Sequence, residues 1–132
     1  MRGDDVQFRV DGVPIPQGSK NAFVRGKRAV LVDVNAAKLK PWRREIAKAA
    51  DLGVTFDCPV EVVLEFLMPM PKRPKFGFPA VKPDLDKLTR AVLDGLTDGG
   101  LLEDDSRVVR IVAEKTYSES PGVLVTVRSK EI

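Results

Sequence analysis

The fold is decided by residues 59–68, which read PVEVVLEFLM. Every second residue from position 60 onward is apolar, an alternation that is typical of a β-strand. On the opposite face, Val63 and Leu67 are apolar as well. A strand with apolar residues on both faces is usually covered on both sides by the rest of the fold. We therefore expect residues 60–68 to form the central strand of the sheet.

A loop, a helix and two strands are predicted downstream of this strand. Residues 69–83 hold five of the ten prolines, so they should form an exposed loop outside the sheet. Residues 84–98 carry apolar side chains at spacings of three and four, which indicates a helix, and Gly99-Gly100 ends it. Residues 108–117 and 123–128 alternate again and predict two strands.

Two strand regions and a helix are predicted upstream. Residues 6–13 alternate as a strand, residues 22–34 resemble a hairpin, and residues 36–52 have the apolar periodicity of a helix. Pro41 fits that helix only in its first turn. The order β-β-β-α-β-α-β-β predicts a single domain over residues 1–132, an α/β fold of the α+β type with one mixed sheet and two helices.

The composition excludes several classes of site. Cys58 is the sole cysteine and the chain contains no histidine, so a disulfide framework, a Cys/His zinc site and a His-dependent triad are ruled out. There is no apolar run of the roughly 20 residues that a membrane-spanning helix needs. The first residues lack the apolar core of a signal peptide, and we therefore expect a cytoplasmic protein.

The net charge of +3 is unevenly distributed. Residues 1–48 contain 11 basic and 5 acidic side chains, whereas residues 49–132 contain 11 basic and 14 acidic ones. The first segment could meet a polyanion, and the second concentrates carboxylates. A solvated surface explains the same bias equally well.

Seven acidic residues lie between positions 84 and 105. Several carboxylates in one small site repel each other unless a cation neutralises them. Mg²⁺ prefers oxygen ligands, and a bound Mg²⁺ can activate water and stabilise the charge of an attacked phosphodiester. The acidic residues are Asp84, Asp86, Asp94, Asp98, Glu103, Asp104 and Asp105.

These carboxylates also have a purely structural interpretation. Asp84 could cap the helix, and Asp86 would suit the positive end of the helix dipole. The spacing of Asp86, Arg90 and Asp94 is that of two surface ion pairs along a helix. Residues 103–105 could form a solvated turn. The spacing alone leaves both interpretations open.

The proline-rich loop supplies cations directly before the carboxylates. A phosphodiester substrate would need positive charge to hold its backbone next to the metal that cleaves it. Phe76 and Phe78 on this loop could stack on bases or pack into the core. The basic residues of the loop are Lys72, Arg73, Lys75 and Lys82.

Three linked motifs resemble the RusA family of Holliday-junction resolvases. That family shows a D-L-D-N-x-x-K stretch, a D-x-L segment and a D-D-x-x-V-V segment in this order. The corresponding segments here are KPDLDKLTR at 82–90, LDGL at 93–96 and LEDDSRVV at 102–109. The resemblance is close over residues 60–128 and looser before them.

The resemblance implies a homodimeric, Mg²⁺-dependent endonuclease that resolves four-way DNA junctions by paired nicks, one from each subunit. The family's catalytic aspartates fall on Asp84, Asp86 and Asp105, and Asp104 is implied as a neighbouring metal ligand or a supporting residue.

Two positions depart from the family pattern. The motif lysine is replaced by Arg90, and the motif asparagine is replaced by Lys87. Arginine keeps the positive charge but lacks the compact ammonium group, so Arg90 would contact phosphate or orient a carboxylate rather than act as a general acid. Lys87 could take over part of that charge.

The sequence thus predicts an endodeoxyribonuclease for recombination and repair that binds branched DNA as a homodimer, with Mg²⁺ as cofactor and without a small-molecule cofactor or a membrane. A branched-DNA-binding protein with a structural acidic cluster is the alternative, and a phosphohydrolase of small esters is a third. The predicted site comprises catalytic Asp84, Asp86, Asp105 and Arg90, metal-binding Asp84, Asp86, Asp104 and Asp105, and DNA-binding Lys72, Arg73, Lys75, Lys82 and Lys87.

Overall fold

The chain forms a four-stranded mixed sheet, two helices and a separate hairpin. The computed structural model describes residues 5–18, 20–25, 28–33 and 35–131. This architecture confirms the predicted α+β fold with a mixed sheet and two helices. The elements are β1 (Val6–Asp11), β2 (Lys20–Arg25), β3 (Arg28–Asp33), α1 (Ala36–Ala50), β4 (Val60–Pro69), α2 (Leu85–Asp98), a short 3₁₀ turn (Asp105–Arg107), β5 (Val108–Ser118) and β6 (Gly122–Ser129).

Strand β4 lies inside the sheet, as its sequence predicts. The strand order is β1-β6-β4-β5, with β4 antiparallel to β6 and parallel to β5. Its alternate residues, such as Leu64 and Phe66, are almost completely buried. On the opposite face Val63 and Leu67 are only half-buried and Glu65 is exposed, so that face is covered less fully than expected.

The predicted hairpin forms, but it stands outside the main sheet. Strands β2 and β3 pair antiparallel with each other as a two-stranded sheet, whereas the sequence suggested one sheet for all strands. The preceding segment explains the difference, because Pro14 and Pro16 are buried and the Gln17 amide donates to the Lys87 carbonyl oxygen at 3.0 Å. That contact ties the chain to α2 rather than to a sheet edge. Residues 26, 27 and 34 of the predicted hairpin lie outside the described residues.

The two helices pack against each other and against the buried face of β4. Ile46 of α1 and Leu88 and Leu96 of α2 are completely buried in one core with the alternate residues of β4. Gly95 permits the close approach, since a Cβ there would lie 2.6 Å from Ile46 Cγ2.

Helix α1 corrects one expectation. Pro41 lies inside the helix, in its second turn, rather than in the first turn that its missing amide favours. The helix therefore lacks the bond that residue 41 would donate to the carbonyl of residue 37. Buried Trp42 and Ile46 hold the helix on the core nonetheless. Neither helix has the length and apolar character needed to cross a membrane, within the described residues.

Candidate active site

The N-terminal end of α2 carries the first pair of predicted site residues. Asp84 is the residue before the helix, but its carboxylate makes no capping hydrogen bond. Instead, Lys87 Nζ lies 3.6 Å from Asp84 Oδ2 in a partly exposed ion pair. Asp86 is in the first turn and exposed. The side chain that the sequence offered as a helix cap therefore points to other partners.

Lys115 of β5 fixes the chain that leads into Asp84. Its ammonium group donates hydrogen bonds to the carbonyl oxygens of Val81 at 2.9 Å and Pro83 at 2.8 Å. The lysine is half-buried, and its bond to Pro83 is partly protected from water, whereas its bond to Val81 is exposed. Such charge-assisted bonds are stronger than neutral ones. Sequence reasoning missed this residue because the contact joins positions more than 30 residues apart.

Arg90 occupies the position between Asp86 and Asp94 on α2. Neither predicted helical ion pair forms, and Arg90 has no ion-pair partner within the described ranges. Its guanidinium is exposed and lies close to Gly18, where a Cβ would be 3.9 Å from Nη1. An exposed guanidinium without a carboxylate partner is suited to bind phosphate.

A second carboxylate pair forms at the C-terminal end of α2. Thr97 Oγ1 donates a short hydrogen bond to Asp105 Oδ1, and Asp94 lies close enough to interact with the same carboxylate. Burial raises the pKa of Asp105, the Thr97 bond opposes this, and the neighbouring negative charge of Asp94 raises it further. A cation would relieve that repulsion.

Asp104 is engaged differently from its neighbour. Its carboxylate accepts a hydrogen bond from the Ser106 amide at 2.8 Å and so caps the 3₁₀ turn. The hydrogen bonds with Ser106 lower the pKa of Asp104, and the charge of Arg107 lowers it further. Arg107 is paired in turn with Asp57 at 2.8 Å. Asp104 is therefore ionised at neutral pH and lies next to Asp105 in the chain, as a supporting carboxylate would.

The two predicted carboxylate groups do not meet within one chain. Asp86 lies in the first turn of α2 and Asp105 contacts Thr97 in its last turn, about 16 Å further along the helix axis. The part of the chain that the structure describes contains no group of three or more residues placed to hold a metal ion. After the glycine pair, Leu101 and Leu102 turn into the core, and the chain does not run back along α2.

The donor set nevertheless suits Mg²⁺ at the Asp94–Asp105 pair. Magnesium is commonly held by one or two carboxylates together with waters and substrate phosphate, rather than by a complete protein cage. Asp105 has a raised pKa that a bound cation would lower, and Thr97 orients its carboxylate. Sequence reasoning assigned Asp94 to the structural interpretation, although its spacing of three residues from Thr97 places both on one side of the helix.

A cleft lies between Asp84 and the proline-rich loop. Its volume is about 520 Å³, and its walls come from the segment before β2, the end of β4, the proline-rich loop and β5. Lys82, Lys87 and Lys115 line it beside Asp84, while Pro83 and Tyr117 supply apolar surface. The cleft thus combines a carboxylate, several cations and apolar walls.

The proline-rich loop is exposed, as predicted. Lys72, Arg73 and Lys75 have no ion-pair partner among the residues that the structure describes. The rings of Phe76 and Phe78 are 49% and 62% exposed, which excludes the core position left open by the sequence. Lys75 Nζ lies 5.6 Å from the Phe76 ring centroid. Cations and aromatic rings that face solvent together are typical of surfaces that bind nucleic acid.

The first helix presents a further basic surface that is only partly neutralised. Arg43 of α1 pairs with Asp98 of α2 at 2.7 Å, and Lys48 lies 3.7 Å from Glu45. Lys38, Lys40 and Arg44 are exposed or half-buried and have no ion pair in the described ranges. Asp98 therefore serves helix packing rather than the site.

Paired carboxylates and unpaired cations on one helix are features that a protein acting on phosphodiesters needs. Comparison with known families makes the assignment specific. The family Endodeoxyribonuclease RusA matches residues 11–128, and the chain belongs to this family. It is also 30% identical over 140 residues to a protein of Bacillus subtilis strain 168 described as uncharacterized protein YqaN, covering 95% of this chain and 96% of the relative. The resemblance seen in the three motifs is thus confirmed.

Proposed function

We propose that the protein is a Mg²⁺-dependent, structure-specific endodeoxyribonuclease that resolves four-way DNA junctions by paired nicks as a homodimer. Family membership supports the endonuclease activity. The observation that carries the proposal is the pair of carboxylates Asp94 and Asp105 at the C-terminal end of α2, with Arg90, which has no ion-pair partner in the described ranges, one helical turn before Asp94. Negative charge for a metal and one cation for a phosphate thereby lie on neighbouring turns of the same helix.

The cations would bind the DNA backbone. The three basic side chains of the proline-rich loop and Lys82 of the cleft would neutralise successive phosphates, which fixes the position of the duplex without reading its sequence. Arg90 projects between Asp86 and Asp94 and would hold the phosphate to be cut. Lys115 keeps the approach to Asp84 rigid through its bonds to two backbone carbonyls.

The carboxylates would hold the metal and orient the reacting water. A Mg²⁺ ion held by these carboxylates would supply Lewis-acid activation of the attacking water and would offset charge on the phosphate. Asp105 and Asp94 are its best-supported ligands, with Asp104 next to them and Thr97 fixing the orientation of Asp105. Asp84 and Asp86 belong to the proposal through the family motif. They lie at the other end of α2, where Asp84 lines the cleft.

The alternative of a non-cleaving junction-binding protein is favoured by one observation. The described residues bring at most two of the predicted ligands together, so the acidic residues could serve the fold. Asp104 already has a structural role in the 3₁₀ turn. The two functions differ in a measurable way, because only the nuclease cuts in the presence of a divalent ion.

Two isosteric variants test the site. Asp86→Asn and Asp105→Asn should each lower Mg²⁺-dependent nicking of a synthetic four-way junction by at least about 100-fold, since loss of a residue that merely orients a metal ligand already costs about 10–100-fold. Both should still bind the junction. Glu103→Gln is the matched control, because it removes an exposed carboxylate near the site and leaves all of its aspartates unchanged.

The outcomes separate the two carboxylate groups. Unchanged nicking by Asp86→Asn would remove the N-terminal group from the mechanism, and unchanged nicking by Asp105→Asn would remove the C-terminal group. If the unmodified protein binds the junction but cuts no branched substrate with any divalent ion, the non-cleaving alternative is correct.

A further inference from the structure

The outer edge of β5 combines exposed apolar side chains with opposite charges. Strand β5 is at the edge of the sheet, with β4 on one side only. Val109, Ile111 and Val112 are 61%, 46% and 40% exposed, respectively. Edge strands of this length and character tend to pair with another strand, because their backbone groups are unpaired. The exposed edge of β5 is therefore suited to pair with a strand from another molecule.

The sequence of this edge is self-complementary. Residues 110–114 read RIVAE, with the basic and acidic ends placed symmetrically about Val112. If a second copy pairs antiparallel with its Val112 opposite Val112, Arg110 lies opposite the partner's Glu114. In such a pair, directly opposite side chains share one face and interact.

The faces of β5 agree with this register. Arg110 Nε binds Glu61 Oε1 at 3.1 Å across the β4–β5 pair, which places Arg110 on the face away from the buried core. Val112 is the neighbour of Val63 and Glu114 is the neighbour of Glu65 on that same face. Opposite charges therefore meet on one side of the continuous sheet.

A second observation points to a missing cation. Glu65 and Glu114 are directly adjacent on β4 and β5, and neither has an ion-pair partner among the described residues. Like charges in that position repel each other. The partner's Arg110 would lie on the other side of Glu114 and, shared with the glutamate that it binds in its own chain, would offset part of this repulsion.

Other symmetric registers lack this match. Moving the centre to Ile111 places Arg110 opposite the partner's Val112, and moving it to Ala113 places Val112 opposite the partner's Glu114. Both arrangements leave charges opposite apolar side chains. The register centred on Val112 satisfies both charges and places apolar side chains at the axis.

We propose that two copies of the chain pair through antiparallel β5 strands, with the two-fold axis at Val112 and reciprocal Arg110–Glu114 contacts. The inference rests on the homodimer of the proposed function and names its interface. The result is an eight-stranded sheet that continues from one subunit to the next, an isologous arrangement typical of two-fold dimers.

Charge reversal tests the pairing. Arg110→Glu and Glu114→Arg should each raise the dimer dissociation constant by about tenfold or more, because each variant creates two like-charge contacts, one on either side of the two-fold axis. All proteins compared carry Glu61→Gln, so that the Arg110–Glu61 ion pair is absent throughout. In that background the double variant restores opposite charges across the interface and should return the constant close to that of the Glu61→Gln protein. Sedimentation equilibrium gives the constants, and circular dichroism verifies that each variant is folded.

Cysteine cross-linking tests the register separately. In a Cys58→Ser background, Val112→Cys should form a disulfide-linked dimer on mild oxidation, and Glu119→Cys beyond the paired region should not. The inference is overturned if the single reversals leave the dimer unchanged, if the double variant stays as weak as the singles, or if Val112→Cys does not cross-link.

These readouts do not depend on DNA cleavage. A dimer that behaves as described but cuts no junction would overturn the proposed nuclease function and leave the interface intact. A dimer that is insensitive to all β5 variants would overturn the interface and leave the nuclease function intact. A monomeric protein at every concentration would overturn both the interface and the homodimer.

Discussion

Replacing Gly95 with alanine should weaken the contact between the two helices. The added Cβ would lie 2.6 Å from Ile46 Cγ2 and 2.8 Å from Ile46 Cβ. Carbon atoms are ordinarily about 3.5–4.0 Å apart at contact, so the overlap is about 1 Å. Ile46 is completely buried and cannot move into solvent. The helices must therefore separate or the core must repack.

The size of the effect follows from two opposing contributions. Overpacking of a well-packed core costs about 1–3 kcal/mol, whereas alanine in a helix interior is favoured over glycine by about 1 kcal/mol. Both new contacts are shorter than 3.0 Å, which places the overpacking cost in the upper part of its range, about 2–3 kcal/mol. After the gain of about 1 kcal/mol from alanine, we expect the free energy of unfolding to fall by about 1–2 kcal/mol.

Urea unfolding followed by far-ultraviolet circular dichroism measures this change. Gly77→Ala is the matched control, because a Cβ at that position would have no neighbour within 4 Å. If Gly95→Ala unfolds at the same urea concentration as the unmodified protein or at a higher one, the helix–helix contact described above is incorrect.

Three further predictions concern the site. Lys115→Met removes two hydrogen bonds to the backbone before Asp84. Trypsin should then cut the proline-rich loop several-fold faster than it does in a Lys130→Met control. Equal cleavage rates would contradict the anchoring role of Lys115. A triple variant in which Lys72, Arg73 and Lys75 are each changed to glutamine should bind junction DNA with a slope of log affinity against log salt concentration that is shallower by about two to three units. An unaltered slope would show that the loop does not contact the DNA. Because the pKa of folded Asp105 is raised, this carboxyl favours folding at pH values below its ordinary pKa, and that contribution is lost as the pH rises through the folded pKa. As the pH is raised from 3 to 7 in metal-free buffer, the stability of Asp105→Asn should therefore increase relative to that of the unmodified protein. A relative decrease in urea unfolding over the same range would contradict the assigned cause.

Much of the fold could be predicted because local patterns determine it. The alternation around Leu64 identified the internal strand, and the glycine pair after α2 marked the end of that helix. The position of Pro41 in the second turn of α1 could not be predicted, because burial of Trp42 and Ile46 outweighs the lost hydrogen bond. Local propensity gives way where tertiary packing is stronger.

The candidate site was less accessible to sequence reasoning. The motifs identified its residue types, but the path of the chain after Gly100 decides which carboxylates meet. Burial of Leu101 and Leu102 directs the chain away from α2, so Asp105 contacts Thr97 rather than Asp86. The contacts of Lys115 depend on the pairing of β5 with β4, which no local pattern encodes.

Cleavage of a synthetic four-way junction by the unmodified protein is the most direct test of the proposed function. The substrate is compared with a linear duplex of the same sequence, each with Mg²⁺ and with a chelator. We predict paired, symmetric nicks in the junction with Mg²⁺, no nicks with the chelator, and little cutting of the duplex. Equal cutting of both substrates, or cutting in the chelator, would contradict the account.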